Sequence, residues 1–371
     1  MEKYKTINTV CASHMCNGCM ACVNVCSKKA IKVKDYMEYF DAEINSNICI
    51  NCGACERVCP NNSLPIMVKP YKWYQGWAIN PQIRLSSSSG GVGTEIAKKF
   101  AERGGYVCAC LFKEGEFIFQ LTKKVEEVSL FAGSKYVKSN PKTIFKEIKE
   151  KLKENKVLFI GLPCQVAGLT KYVGNTENLF TIDLICHGTP SHKVLEKFLS
   201  DNNITIKMLS DIKFRVKHDF GLIGDYNKIS KTGDCDFYTK AFLSGISYTE
   251  NCYSCGFAKL ERCSDLTIGD SWGSELSIEQ QKNGLSLILC QTQKGEELLG
   301  ISDFELKEVD LNTAVNSNHQ LKKPSQKTKR ASIFLRGINK GINFNLMFLL
   351  IEPNYGLRQV VKSVIHRGGN K

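Results

Sequence analysis

The chain has 371 residues and a formal net charge of +13, and 43% of its residues are hydrophobic while 23% are charged. This length exceeds what one compact core usually organises, so two or three domains are expected. The start of the chain lacks the continuous apolar segment of a secretory signal, and the strongest apolar run, Leu346 to Ile351, is far shorter than the roughly 18 residues of a membrane span. We therefore expect a cytoplasmic protein with no transmembrane segment.

Eighteen cysteines are the most informative part of the composition. Disulfides are rare in the cytoplasm, so clustered cysteines there indicate bound metal rather than a disulfide-linked fold. The basic charge alone would suggest a nucleic-acid partner, but cluster thiolates would offset part of it, and no RNP-type or helix-turn-helix signal is present. We therefore expect no nucleic-acid partner. The remaining charge suits an acidic redox partner or an anionic cofactor.

The first 66 residues contain an internal repeat. Cys16, Cys19, Cys22 and Cys26 recur 33 residues later as Cys49, Cys52, Cys55 and Cys59, each group in the pattern C-x2-C-x2-C-x3-C. In this pattern three cysteines bind one cube and the fourth binds the other cluster. We predict one [4Fe–4S] cluster on Cys16, Cys19, Cys22 and Cys59, and a second on Cys49, Cys52, Cys55 and Cys26. A pair of zinc sites is the alternative, but zinc gives no reason for two interleaved groups of three plus one.

Beyond the repeat, strand-like and helix-like stretches alternate. Residues 67–83, which contain prolines and four aromatic residues, are expected to be a connector. Buried strands are predicted at 106–112, 157–161, 179–185 and 285–290, with amphipathic helices at 141–154 and 193–199. Residues 321–371 begin with a basic run, interpreted as a solvated helix face or linker, and are predicted to form a helical extension. The predicted fold class is α+β: a small N-terminal ferredoxin-type module, residues 1–66, followed by a larger mixed α/β body.

A serine- and glycine-rich loop, Ser86 to Gly93, precedes a predicted helix that opens at Thr94. Its backbone N–H groups and the helix N-terminus would suit a phosphate or pyrophosphate. The loop matches neither the dinucleotide-binding fingerprint Gly-x-Gly-x-x-Gly nor a P-loop. Taken alone, it is equally consistent with a flexible linker.

Six segments, in order, carry a family resemblance: Arg84 with Ser86 to Thr94, then Gly133 to Val137, Gly161 to Gln165, Asp183 to Gly188, Cys252 to Cys255, and Asp265 to Gly273. Together they resemble the beta subunit family of coenzyme F420 hydrogenases and dehydrogenases, which also includes the 7-hydroxymethyl chlorophyll a reductases. The resemblance covers about residues 84–320 and implies a flavin-binding body that holds FAD beside a further [4Fe–4S] cluster.

The resemblance also implies site residues. Those expected at the flavin are Ser87, Ser88, Ser89, Gly90, Gly91, Thr94 and Lys135; those expected at the third cluster are Cys164, Cys186, Cys252 and Cys255. A zinc site or a redox-active Cys252–Cys255 pair remains open, and Cys263 is near enough to replace one ligand. Cys108, Cys110 and Cys290 are expected to be core thiols, whereas Cys11 and Cys235 have no assigned role.

These parts predict an FAD- and iron–sulfur-dependent oxidoreductase. It would pass electrons between ferredoxin-type clusters and FAD, with hydride transfer to or from an organic substrate or a deazaflavin such as coenzyme F420. The expected partner is a redox protein or a small electron donor or acceptor. The alternative is a non-enzymatic electron-relay subunit of a larger complex. The sequence specifies no catalytic side chain and no oligomeric state.

Overall fold

The computed structural model describes residues 8–225, 227–229 and 236–353. The helices are α1 (Ala21–Val25), α2 (Ala54–Arg57), α3 (Pro81–Ser86), α4 (Val92–Glu102), α5 (Ile144–Lys151), α6 (Pro163–Val173), α7 (His192–Asp201), α8 (Phe237–Leu243), α9 (Ile278–Lys282), α10 (Gln293–Gly300), α11 (Leu311–Ser317), α12 (Lys329–Asn339) and α13 (Phe344–Ile351). The strands are β1 (Ile31–Asp35), β2 (Phe40–Ile44), β3 (Lys72–Ala78), β4 (Tyr106–Lys113), β5 (Glu116–Thr122), β6 (Val157–Gly161), β7 (Leu179–Leu184), β8 (Ile212–Val216), β9 (Asp219–Gly224), β10 (Asn227–Lys228), β11 (Leu266–Asp270), β12 (Ser286–Cys290) and β13 (Phe304–Lys307). No helix within these described ranges is long and apolar enough to cross a membrane.

The N-terminal module is built from two loops that follow the same backbone path. Gly18 and Asn51, equivalent in the repeat, both have positive φ angles, of 67° and 53°. The next equivalent pair, Met20 and Gly53, also lies in the left-handed region and directly precedes α1 and α2. The antiparallel hairpin β1–β2 joins the two halves. The sequence repeat is therefore also a structural repeat.

The larger body is an eight-stranded mixed sheet in the order β13-β3-β12-β11-β7-β6-β4-β5. Its four central strands, β4, β6, β7 and β11, run parallel to one another. The flanking strands pair antiparallel. This arrangement confirms the predicted α+β class, and the four buried strands predicted from the sequence all belong to the sheet.

The expected connector is instead partly a strand of the sheet. Within residues 67–83, β3 pairs antiparallel with β12 on one side and β13 on the other. The prediction of a connector is therefore wrong for Lys72–Ala78. Flanking prolines made the segment look like a linker, while both pairing partners lie more than two hundred residues downstream, where a local pattern cannot show them.

Helices cover both faces of the sheet. On one face, α4 and α10 pack over the strands through Ile96, Phe100 and Leu298. On the other, α5 and α6 pack through Phe145 and Leu169, and Cys19, Ala21 and Val58 of the N-terminal module join the same core. The module is thus built into the body through shared core packing.

A third core lies beside the sheet, where α7, α8, α12 and α13 pack around β8 and β9. Phe334 and Phe344 are fully buried in it. The predicted helical extension is therefore confirmed for Lys329–Asn339 and Phe344–Ile351, which form part of this core. Residues 354–371 of that prediction lie outside the described residues, as does Cys235.

Candidate functional site

The repeat cysteines form two groups that differ in exposure. The inner set (Cys16, Cys19, Cys22 and Cys59) is buried; the outer set (Cys26, Cys49, Cys52 and Cys55) is partly buried except for Cys52, which is exposed. Burial, followed by the neighbouring Cys59 and Cys164, raises the pKa of Cys19 to about 12. The inner set therefore faces the body of the protein, and the outer set faces solvent.

Backbone N–H groups already point at the sulfur atoms of these loops. The Gly18 N–H donates to Cys16 Sγ at 3.4 Å, and the equivalent Asn51 N–H donates to Cys49 Sγ at 3.4 Å. The Ala30 N–H donates to Cys26 Sγ at 3.3 Å. N–H donors to thiolate sulfur are one means by which proteins stabilise iron–sulfur clusters and set their potentials. The loops therefore suit the predicted clusters.

Cys11 had no role assigned from the sequence. Its thiol is buried and hydrogen-bonds with Cys16 and Cys59, and the bond with Cys16 makes the largest contribution to a pKa of about 12. Cys11 lies outside the C-x2-C-x2-C-x3-C pattern, so spacing gave no signal for this contact.

Four further cysteines from three segments meet in one pocket. The third set consists of Cys164, in the first turn of α6, Cys186, just after β7, and Cys252 and Cys255, on the short 3-10 helix Glu250–Ser254 and the residue after it. Cys164 and Cys186 converge because β6 and β7 are parallel neighbours, and their carboxyl ends meet at one edge of the sheet. Cys263 does not line this pocket and instead packs against the core beneath α6.

The four thiols of the third set surround the pocket without meeting at a point. Among the described residues, no three His, Cys, Asp or Glu side chains come together closely enough to hold a single metal ion. A cube binds each cysteine at a different iron, so its ligands stand apart around it. Burial is the main cause of the raised pKa values of Cys164, Cys186 and Cys255, that of Cys255 reaching about 12. Buried thiols of this kind release protons when they bind metal.

A larger cavity of about 390 Å³ lies next to this pocket. Of the residues expected at the flavin, six line it: Ser87, Ser88, Ser89, Gly91, Thr94 and Lys135. Gly90 does not, because it packs against β3 and β12, where its N–H donates to Ser286 Oγ at 3.0 Å. The loop is shorter than predicted, since α3 ends at Ser86 and α4 begins at Val92.

The serine hydroxyls of this loop mainly shape the loop itself. Ser87 Oγ donates to the Ile83 carbonyl at 2.8 Å, and Ser89 Oγ donates to the Leu285 carbonyl at 2.8 Å. Ser88 Oγ accepts from the Ser134 N–H at 2.8 Å, which ties the loop to the segment carrying Lys135. The N-terminus of α4 is thereby held against the cavity with its N–H groups available for a phosphate.

Lys135 lies in the cavity wall, but its ammonium is partly engaged. It donates to the carbonyls of Phe131 and Ala132 at 2.7 and 2.9 Å, and burial lowers its pKa. An ammonium carries three N–H donors, so one is left for an anionic ligand.

Arg215 is a cavity residue that sequence reasoning missed. From β8 it forms a bidentate pair with Asp270 at 2.7 and 2.8 Å, and it also donates to the Ser88 carbonyl and to the Tyr136 hydroxyl. Burial alone would lower its pKa, but the bonds to Asp270 raise it overall. Because the β8–β9 hairpin lies outside the sheet, no local motif indicated that it reaches the loop.

Aromatic side chains form another wall of the cavity. Tyr136 stacks on Phe242 with ring centroids 4.4 Å apart, and Phe220 and Trp272 line the same space. A volume of this size with few polar groups is typical of sites for organic cofactors. The cavity, the helix N-terminus and the buried cations together fit a flavin nucleotide.

The third-set pocket and the large cavity share one wall. Leu162 and the segment Cys186–Thr189 line both spaces. Within this wall, His187 Nδ1 lies 2.6 Å from Gln320 Nε2, and burial lowers the pKa of His187 to about 4. A group bound in the cavity would therefore lie beside a cluster bound by the third set.

The fold and the sites define an iron–sulfur protein with a large organic-ligand cavity. Models of the coenzyme F420 hydrogenase/dehydrogenase beta subunit match at residues 73–144 for its N-terminal part and 154–310 for its C-terminal part. A 4Fe-4S dicluster domain model matches residues 15–63. The chain belongs to the coenzyme F420 hydrogenase/dehydrogenase beta subunit family and carries an N-terminal 4Fe-4S dicluster domain. The resemblance drawn from the six motifs is thereby confirmed.

Among solved structures, a chain of the F420-reducing [NiFe] hydrogenase complex from Methanosarcina barkeri, determined with xenon, is similar to this one. The two are 19% identical, the match covers 75% of this chain and 97% of that chain, and the TM-score is 0.49. No curated protein matches the sequence.

Proposed function

We propose that this protein is an iron–sulfur flavoprotein oxidoreductase. In this proposal the inner and outer sets hold two [4Fe–4S] clusters, the third set holds a third, and the large cavity holds FAD. The observation that carries the proposal is the shared wall Cys186–Thr189, which lines both the third-set pocket and the cavity. Electron exchange between a cluster and a flavin requires this kind of proximity.

The inner set lies between the solvent-facing outer set and the helix that carries part of the third set. The outer set faces solvent, and the inner set packs on α6, where a Cβ added to Gly168 would lie 2.8 Å from Cys19 Sγ. The same helix carries Cys164 of the third set in its first turn. Met15, Asn17 and Asn61 of the N-terminal module also line the third-set pocket. This order supports a route from the surface to the cavity.

A bound flavin supplies the chemistry that thiols lack, because it exchanges electron pairs as hydride with organic molecules and single electrons with clusters. The chain supplies the environment. The N-terminus of α4, Lys135 and Arg215 would hold anionic parts of the cofactor. Tyr136 and Trp272 would cover apolar parts and exclude water.

The substrate in this proposal is an organic molecule that exchanges hydride at the flavin face, and coenzyme F420 is one candidate. Family membership favours a deazaflavin, and the net charge of +13 suits a substrate with acidic groups. The alternative, a relay subunit that binds no flavin, differs in a property that can be measured directly.

The first test is iron, acid-labile sulfide and extractable flavin per chain, measured on protein purified without oxygen. We expect about twelve irons and one FAD. About eight irons with no flavin would contradict the proposal and favour the relay subunit. A Cys252→Ser variant should lose about four irons and all turnover, while the EPR signals of the inner and outer clusters persist. Turnover at the wild-type rate in that variant would exclude the proposed route.

A further inference from the structure

Two cationic side chains are buried around the third-set pocket. Lys138 is 7% exposed and Arg262 is 1% exposed, and both line the pocket together with the four cysteines. Burying a charge is costly unless it has a partner of opposite sign. Arg262 has Asp183 as a partner of opposite sign, so it is chiefly Lys138 that indicates negative charge in the pocket.

Lys138 lies between the third set and the inner set. Its backbone N–H donates to the Pro190 carbonyl at 2.9 Å, which fixes the start of the side chain. The chain then passes the loop of the inner set, with Cδ 3.8 Å from a Cβ built on Gly18. Burial alone would lower the pKa of Lys138, but the four thiolates of the third set raise it above the ordinary lysine range. The ammonium also acts on Cys19 of the inner set.

Arg262 lines the same pocket. Its main chain is fixed by two hydrogen bonds with Val68, of 2.9 and 2.8 Å. Its Nη1 lies 3.8 Å from Asp183 Oδ2, whereas its Nε and Nη2 have no hydrogen-bond partner among the residues that the structure describes. A guanidinium presents five N–H donors, so Arg262 has donors left for sulfur atoms in the pocket.

The outer set has a different electrostatic environment. Its nearby cations are exposed: Arg57 donates to the Cys52 carbonyl at 3.0 Å, and Lys28 and Lys29 follow Cys26. Water and salt screen an exposed charge strongly, whereas a buried one acts on its neighbours through a medium of low dielectric constant. The positive potential therefore rises from the surface toward the third set.

We propose that Lys138, with a smaller contribution from Arg262 beside Asp183, raises the reduction potential of the third cluster above those of the two ferredoxin clusters, so that electrons collect beside the flavin cavity. This inference rests on the proposed function, because it needs a cluster on the third set. Gaining an electron adds one negative charge to a cluster, and fixed positive charges favour that state. A single electron would then wait beside the flavin until a second one arrives.

The test is an anaerobic redox titration followed by EPR, performed on the wild type, Lys138→Met and Lys138→Arg. In the wild type, the third cluster should be reduced before both ferredoxin clusters. In Lys138→Met, which keeps the stem and removes the charge, the ratio of reduced to oxidised third cluster at a given potential should fall at least about tenfold, equal to ~59 mV for one electron. Lys138→Arg, which keeps the charge, should restore most of that ratio.

Lys142→Met is the matched control, because Lys142 pairs with Glu116 at the surface four residues further along the chain. It should titrate as the wild type does, and the outer cluster serves as an internal reference in every variant. A third cluster that is reduced last in the wild type would overturn the inference, even if a variant fails to fold. The inference would also be overturned if Lys138→Met retained all its iron and the reduction potential of its third cluster were the same as in the wild type. About eight irons in the wild type would instead overturn the proposed function, and the inference with it.

Discussion

At the residue scale, the loop beside the cavity is held by cationic side chains that donate to its main-chain carbonyls. Lys217, at the start of the β8–β9 turn, donates to the Ser89 carbonyl at 3.0 Å and to the Arg84 carbonyl. Burial, followed by the charges of Arg84 and Arg215, lowers its pKa from 10.5 to about 8. Its charge is therefore present below pH 8 and is lost as the pH rises through that value. Because the pKa of Lys217 is lower in the folded protein than in the unfolded chain, its charge disfavours folding most below pH 8. This penalty decreases as the pH rises from about 8 toward 10.5.

This charge lies directly beneath the loop proposed to hold a phosphate, so we expect flavin affinity to fall as the pH rises through about 8. The loss should be about fivefold, equal to ~1 kcal/mol for one charge near an anion. Lys217→Met should bind weakly at every pH and show no such step. Lys213→Met, on the preceding strand β8 and exposed beside Asp211, should keep the wild-type profile. Fluorescence titration with FAD between pH 7 and pH 9.5 measures the affinity of the wild type and both variants. An identical pH step in Lys217→Met would show that another group causes the step.

Site residues that belong to a motif could be predicted from the sequence, whereas isolated site residues could not. The inner and outer sets follow from the period of the repeat, whereas the third set was implied by the family resemblance. Lys138 and Arg262 carry no such signal, because a buried cation is recognisable only once its neighbours are known. Arg215 was missed for the same reason, since it meets its partner Asp270 from a separate hairpin.

At the element scale, local patterns predicted four strands of the sheet and missed others, β3 among them. β3 shows no regular alternation in burial along its length, and its neighbours β12 and β13 come from the far end of the body. Long-range antiparallel pairing of this kind leaves little trace in a short window of sequence. The docking of α1 on α6 was equally hidden, because it depends on a glycine in the middle of a helix.

Gly168 leads to a prediction about the interface between the N-terminal module and the body. Gly168→Ala would place its Cβ 2.8 Å from Cys19 Sγ and 2.9 Å from Cys19 Cβ, closer than real contacts allow. Alanine usually favours a helix by about 1 kcal/mol over glycine, but overpacking a tight interface costs about 1–3 kcal/mol. We expect the thermal midpoint to fall by about 2–4 °C, with slower reduction of the flavin by donors that enter at the outer set. Differential scanning fluorimetry and stopped-flow absorbance measure the two effects.

Gly300→Ala is the control for this substitution. Gly300 ends α10, and an added Cβ there would meet no atom within 4 Å. It should leave the midpoint unchanged or raise it slightly. An equal fall in both variants would show that glycine flexibility, and not the contact with Cys19, accounts for the effect.

At the scale of the whole molecule, the three cysteine sets differ in their exposure and in the charges around them. The outer set meets solvent, the inner set is buried against the body, and the third set lies among buried cations beside the cavity. The N-terminal module shares its core with α5 and α6, so the three sets belong to a continuous packed structure. We therefore expect a protein donor to approach most closely at the outer set, which carries the exposed Cys52, whereas a small reductant can diffuse to other parts of the surface.

This difference in exposure predicts that the size of the electron donor determines which cysteines are needed for electron entry. The double variant Cys52→Ala, Cys55→Ala should lose the outer cluster, about four irons, and keep the inner and third clusters. Reduction of the flavin by a small reduced ferredoxin should then fall to a small fraction of the wild-type rate, because the inner set is buried and the third set is enclosed in its pocket. Reduction by dithionite should change little. Stopped-flow absorbance with the two donors makes the comparison within one protein sample. If both donors slow equally, the variant has damaged the site itself, and if neither slows, electrons enter closer to the cavity than the outer set.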